Sequence, residues 1–305
     1  MKKMPENQLV TEIYVPETGK GFKRWFAVVG LFFLAFLWTF PFQETITNKV
    51  ETIILGQRAC PISYSKMNFT WFAPGIEFDK PVISGACFQK PGNDLPLKTL
   101  AVSFAGPNFS PLGIRLKVVA DSEQSHLEAF PAAGFGSQVV RIVDTTIGAD
   151  ILNTLTGMDL LVGNIAVDGL VEMAQNQVSS AKFKLESKKI STKATNIQGF
   201  ALPSMSLGSL LLTSELDASG KLFIEKLSLG ANESTIAANF KGSLQLNRYN
   251  ILFSNADLTG EIRFSEEFHK ALPIVKLLLQ GKEPTDGFYK LEIKGPLGQT
   301  RPNFL

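Results

Sequence analysis

The chain has 305 residues, enough for one large domain or two modest ones. Hydrophobic residues make up 45% and charged residues 19%, below the quarter usual in soluble domains, so the chain leans apolar. The net charge is +2 and no Lys/Arg block stands beside an aromatic platform, which argues against a nucleic-acid partner.

The first 24 residues are polar and include Pro5, Pro16, Gly19 and Gly21. They read as a flexible tail rather than a domain. From Trp25 to Phe42 follows WFAVVGLFFLAFLWTFPF, 18 residues without a charge. At a helical rise of about 1.5 Å per residue this run covers about 27 Å, close to the hydrocarbon thickness of a bilayer. Trp25 and Trp38 lie near its two ends, where indole rings favour the interface. A cleaved signal peptide is the competing reading. It has a shorter apolar region and a small-x-small cleavage site, which Phe40-Pro41-Phe42-Gln43-Glu44 does not supply. The expectation is therefore one transmembrane helix over 25–42. Lys20, Lys23 and Arg24 precede it, so the basic flank places residues 1–24 in the cytoplasm and 43–305 outside.

Residues 43–57 predict a juxtamembrane helix, with Ile46, Val50, Ile53 and Ile54 on one face. The two cysteines, Cys60 and Cys87, both lie beyond the apolar run. In an oxidising compartment an even pair is most simply a disulfide, the other reading being two unrelated buried thiols. A bridge would close a loop of about 28 residues, for about 3 kcal/mol in the chain-entropy model.

After Cys60 the periodicity becomes two. Ile236, Ala238, Phe240, Leu244 and Leu246 alternate with Asn239, Lys241, Ser243, Gln245 and Asn247, the pattern of a half-buried strand. The same alternation marks Leu100–Phe104, Ile114–Val118 and Ile165–Val171. It recurs with Phe183 and Leu185 against lysines and Glu186, with Leu258, Ile262 and Phe264, and with Leu291 and Ile293. Turn signals at Asp217–Gly220, Gly230–Glu233 and Asn247–Asn250 make 207–264 an antiparallel meander. An edge strand is expected near Tyr289–Lys294. Two helices are expected between strands. One starts at Ser137-Gln138-Val139-Val140-Arg141-Ile142-Val143 and runs to about Leu155. The other starts behind Ser265 as N-cap and ends at Gly281.

Two short helices cannot cover ten or more strands that each have one apolar face. The sheet must close on itself as a sandwich or barrel, or present an apolar groove to a lipid. In the second case the lining would be Phe183, Leu185, Ile236, Phe240, Leu244, Leu246, Leu258, Ile262, Phe264, Leu291 and Ile293.

Four stretches carry a resemblance. They are the basic tail with its single helix; Cys60-Pro61-Ile62-Ser63-Tyr64 leading to Phe78-Asp79-Lys80-Pro81-Val82-Ile83-Ser84-Gly85; the strands centred on Gly169, Gly242 and Gly260; and the ending Asp286–Leu297 followed by Arg301-Pro302-Asn303-Phe304. Together they resemble the type II secretion system protein N family in its longer, single-pass form, itself similar to the AsmA-like proteins of the bacterial envelope. The resemblance implies an inner-membrane protein with a large curled antiparallel sheet in the periplasm, acting in the secretion apparatus or in envelope lipid handling. Its partners would be membrane, bound lipid and other envelope or secretion-machine proteins.

Nothing in the chain points to catalysis. His126 and His269 have no ligand-spaced neighbours, and His269 reads as solvated. There is no nucleophile elbow and no P-loop. Asp144 and Asp150 are an imaginable carboxylate pair, but solvated helix carboxylates are far commoner. Asn68, Asn108 and Asn232 head glycosylation-acceptor triplets, which carry no general meaning in a bacterial protein. The sequence therefore predicts a non-enzymatic protein without cofactor or metal.

Overall fold

A computed structural model describes residues 25–32, 35, 42–56, 60–70, 74–88, 92–157, 159–175, 177–197, 200–231, 233–247, 253–300 and 302–305. The chain divides into two compact units, Met1–Ile53 and Ile54–Leu305. In the first, residues 25–32 are helical and every side chain there is exposed, Trp25 by 72%. Helix α1 follows at Phe42–Gly56. Among the described residues no helix is long and apolar enough to cross a membrane. The anchor expected over 25–42 falls partly outside the described residues, and Trp38 lies there too.

The second unit is mostly strand. In chain order its strands are β1 (Ile62–Ser63), β2 (Lys66–Thr70), β3 (Gly75–Asp79), β4 (Val82–Ile83), β5 (Leu95–Pro96), β6 (Thr99–Phe109), β7 (Leu112–Asp121), β8 (His126–Gly134) and β9 (Ser137–Gly148). After helix α2 (Ala149–Thr156) come β10 (Leu161–Ala174), β11 (Gln177–Thr192), β12 (Thr195–Ile197), β13 (Phe200–Leu202), β14 (Met205–Leu216), β15 (Lys221–Leu229), β16 (Ile236–Gln245) and β17 (Asn255–Phe264). Helices α3 (Glu266–Ala271) and α4 (Pro273–Leu278), then β18 (Tyr289–Pro296) and β19 (Asn303–Phe304), complete it.

Fourteen of these strands form one antiparallel sheet in the order β19-β18-β17-β16-β15-β14-β11-β10-β9-β8-β7-β6-β3-β2. It is a single long meander, interrupted by the hairpin β12–β13 and by a small sheet β1-β4-β5. Short turns suffice because each strand pairs with a near neighbour in sequence. The meander expected over 207–264 is present as β14 to β17.

The curled groove is corrected. The sheet is open and uncurled: β2 and β19 are its outer strands, each paired on one side only, and strands contact chiefly their ladder neighbours. Curling would bury one face within the sheet, whereas most apolar side chains on that face stay half-buried. The edge expected at Tyr289–Lys294 is covered in part: the two-residue β19 pairs with β18 at Leu291 and Glu292 and is the outermost strand there.

Residues Ser137–Gly148 are strand, not helix, and only Ala149–Thr156 is helical. The β-branched run Val139, Val140, Ile142, Val143, Thr145, Thr146 packs better on a pleated surface than in a helix. The second expected helix exists in two pieces. Ser265 caps α3 by accepting the Phe268 N–H at 3.2 Å, and Pro273 starts α4 where an unbroken helix would need an amide donor.

Cys60 and Cys87 are bridged, with Cα atoms 4.5 Å apart, and fasten the small sheet. Buried Leu95, Leu97 and Ile151 form the compact core, with Ile83, Ala120, Leu127, Ile147 and Leu155 packed around it. This core sits at the end of the sheet where β7 turns into β8 and β9 meets α2.

Candidate functional site

The register fixes which side chains share a face, since directly paired residues point the same way. Across β16, β17 and β18, Phe240 pairs with Gly260 and Gly260 with Leu291; Ala238 pairs with Ile262 and Ile262 with Tyr289. The intervening rungs are polar: Asn239, Glu261 and Lys290, then Lys241, Thr259 and Glu292. The apolar row continues through Leu227 and Leu212 to Leu185, and from there to Val167. On the other half it runs through Ile142 and Ala129 to Val118, then Val102, Ile76 and Phe69. One apolar face therefore crosses all fourteen strands.

Bulges keep it continuous. Ile224 and Leu227 are three residues apart and would point to opposite sides of a regular strand. A register shift between them returns both to the face, opposite Gly242 and Phe240. Phe104 and Pro107 are realigned in the same way. In β9 the shift lies between Ile142 and Thr145, and Asp144 there takes a left-handed backbone at φ 46°. Two hydroxyls on the face are bonded to backbone: Thr145 bonds the Glu128 N–H and carbonyl, and Ser187 donates to the Asn164 carbonyl at 2.6 Å.

At about 4.8 Å between strands and 3.3 Å per residue, the face measures about 60 by 30 Å. The largest apolar patches on monomeric proteins reach about 300–600 Å². This one projects several times that area. At one end of the strands it is covered by α2 and the β4–β5 segment, and by Phe268 of α3, whose ring stacks on Phe264 at 5.0 Å. Across the rest, among the described residues of the same unit, no second layer packs on it.

The predicted lining residues fall on this face. Leu291 is buried at 3% exposure, and Phe183, Leu185, Ile236, Phe240, Leu244, Leu258, Ile262, Phe264 and Ile293 are half-buried. Leu246 lies just past the end of β16 and is also half-buried. The predicted lining does not include the matching rows on β2 to β10, nor those on β14 and β15. Those on β8 and β9 were hidden by the helical reading of 137–143 and by the odd spacings at bulges. The alternating positions of β6, β7 and β10 were visible.

The opposite face is a charged lattice. Lys182 pairs with Glu215 at 3.1 Å, Lys184 with Glu186 at 3.0 Å, Lys117 with Glu128 at 2.9 Å and Lys294 with Glu292 at 2.6 Å. Hydrogen bonding to Glu186 and Glu292 raises the ammonium pKa of Lys184 and Lys294. Such exposed pairs add little stability but hold this face in water.

The carboxylate pair imagined for Asp144 and Asp150 does not form a site. Asp144 is an exposed bulge residue. Asp150 accepts hydrogen bonds from the Ser122 hydroxyl and, at 2.8 Å, from that of Ser125, which ties the first turn of α2 to the β7–β8 turn. Burial pushes its pKa up, but the serine hydroxyls and the Ile151 and Gln124 amides outweigh this, and the net shift is downward. His269, expected in solvent, has its Nδ1 buried without a hydrogen bond and its ring edge-on to Phe264 at 5.8 Å. It lies beside a surface cavity of about 970 Å³ between α3, α4 and Tyr289. Among the described residues no group of three or more His, Cys, Asp or Glu is placed to hold a metal.

Comparison with family models, with curated proteins and with solved structures finds no match to this chain.

Proposed function

We propose that this chain is a non-enzymatic, membrane-tethered protein of the bacterial envelope whose apolar sheet face contacts lipid. One observation carries the reading: a fourteen-strand sheet with one apolar face over which, among the described residues of its own unit, no second layer packs across most of its extent. In water each half-buried Leu or Phe forgoes part of the roughly 1.5–3 kcal/mol that full burial would give, so a face of this size calls for an apolar occupant. Acyl chains fit, because they have no directional demands and match a surface on which the Thr145 and Ser187 hydroxyls are already bonded to backbone.

The tether rests on the uncharged run 25–42, its basic flank and the exposed apolar helix at 25–32. The Cys60–Cys87 bridge supports an oxidising compartment, here the periplasm, for the sheet. Attachment to type II protein secretion rests on the resemblance of the tail, the Gly-centred strands and the C-terminal segment. The second reading is an AsmA-like lipid-binding or lipid-transport protein independent of secretion, favoured by the same apolar face.

Native mass spectrometry of the full chain extracted gently from membranes should reveal bound lipid. Photo-crosslinking residues at Phe240 and Ile262 should capture it. Absence of lipid in both measurements overturns the lipid reading. Deleting the gene separates the alternatives: lost secretion with unchanged envelope lipids assigns the chain to the secretion machine, and unchanged secretion with altered lipids assigns it to lipid handling.

A further inference from the structure

We infer that the paired tips of the β6–β7 and β8–β9 hairpins form a second lipid contact, inserting into the surface of a phosphate-bearing bilayer. Both tips lie at the end of the sheet opposite the α2 cap, and Gly134 abuts Pro111 and Leu112 so closely that a Cβ would overlap them. The two turns therefore stand side by side. Their apexes are large and apolar: Phe109 is 83% exposed, Leu112 65% and Phe135 93%.

Three observations commit this surface to lipid rather than to a protein. The first is charge. From Phe104 to Lys117 and from Ala129 to Val143 the only ionisable residues are Arg115, Lys117 and Arg141, three cations and no anion. Lys117 is paired with Glu128. Arg115 and Arg141 are exposed on the same face and have no ion-pair partner among the described residues. The nearest hairpin, β10–β11, brings Glu172, which accepts the Ser180 hydroxyl at 3.0 Å. Arg115 stands three residues below Leu112, about 10 Å, so rings seated in the acyl boundary would bring its guanidinium to the phosphates.

The second is shape. Phe109 and Phe135 stand almost wholly exposed at the two turns, which suits a fluid phase better than a preformed protein pocket. The third is backbone satisfaction. The Asn108 side chain donates to the Pro111 carbonyl at 2.8 Å and closes the first turn from within, which lowers the cost of leaving water. This contact is separate from the sheet face, although Phe104 and Ile114 lead from one to the other along β6 and β7.

The test uses the full chain in living cells with a benzophenone amino acid in place of Phe135. Ultraviolet irradiation and mass analysis of the adduct should give a phospholipid. The adduct should fall at least about tenfold when Phe109→Ser and Arg115→Ser are added, as expected for loss of one buried aromatic side chain and one phosphate contact. Phe223→Ser, an exposed ring elsewhere, should leave it unchanged. Both tip positions are exposed, and circular dichroism of each variant checks that the sheet is intact. A protein adduct at 135, no adduct, or an adduct insensitive to the tip changes overturns the inference. Lipid captured at 240 and 262 but not at 135 defeats it alone; lipid at 135 but not at 240 or 262 defeats the lipid-face reading alone.

Discussion

Phe240 and Phe183 do not stand up from the sheet. Each lies across a glycine of the adjoining strand: a Cβ on Gly260 would come within 2.5 Å of the Phe240 ring, besides meeting the Asn239 carbonyl oxygen at 2.2 Å, and one on Gly169 within 3.0 Å of Phe183. This pairing replaces the missing side chain with an aromatic plane and keeps the apolar face low. Gly260→Val should therefore destabilise the fold by about 1–3 kcal/mol, read as a lower urea midpoint at unchanged slope. Combining Gly260→Ala with Phe240→Leu should recover part of the loss suffered by Gly260→Ala alone. Asp150 gives a second prediction at this scale. Its carboxyl pKa is lowered in the folded chain from an ordinary value of 3.8. The stability it contributes is thus fully present above that value and is lost as pH falls through the lowered one. Urea titrations at decreasing pH should show the wild type losing stability below about pH 4 more steeply than Asp150→Asn, with the two curves converging at the acid end.

Among the elements, strands were legible wherever alternation ran unbroken. Lys182–Glu186 carries a charge and Asn239–Gln245 a polar side chain on every second residue, and pairing leaves that pattern intact. Strand β9 was illegible for a definite reason. Its face residues Ile142 and Thr145 are separated by three because a bulge at Asp144 resets the register, and i, i+3 spacing is also the signature of a helix. A single-sequence reading has no means of locating a bulge before the partner strand is known. The open state of the sheet was illegible as well, since periodicity reports that one face is apolar and is silent on what covers it. The disulfide was legible through the chain's expected topology. Cys60→Ser or Cys87→Ser should lower unfolding free energy by about 3 kcal/mol, the loop-closure value for about 28 residues. The same loss should follow from reducing the wild type, and neither treatment should add to the other.

At the scale of the whole sheet, a protein core and a lipid-binding face make opposite demands on the same residues. A buried isoleucine replaced by glutamate leaves an unpaired charge without water, and the protein unfolds. Ile262 is only half-buried, and no second layer packs over it among the described residues of the same unit. Ile262→Glu should therefore fold, with a modest fall in melting temperature, and should lose co-purifying lipid. Thr259→Glu, on the charged face three rungs along, alters charge equally but should retain lipid, so it separates an effect of the face from an effect of net charge. If Ile262→Glu instead fails to fold while Thr259→Glu is normal, the face is covered in the living protein by polypeptide. The occupant would then be a partner chain or a second copy, and the size of the sheet's apolar face would be an interface area rather than a lipid path.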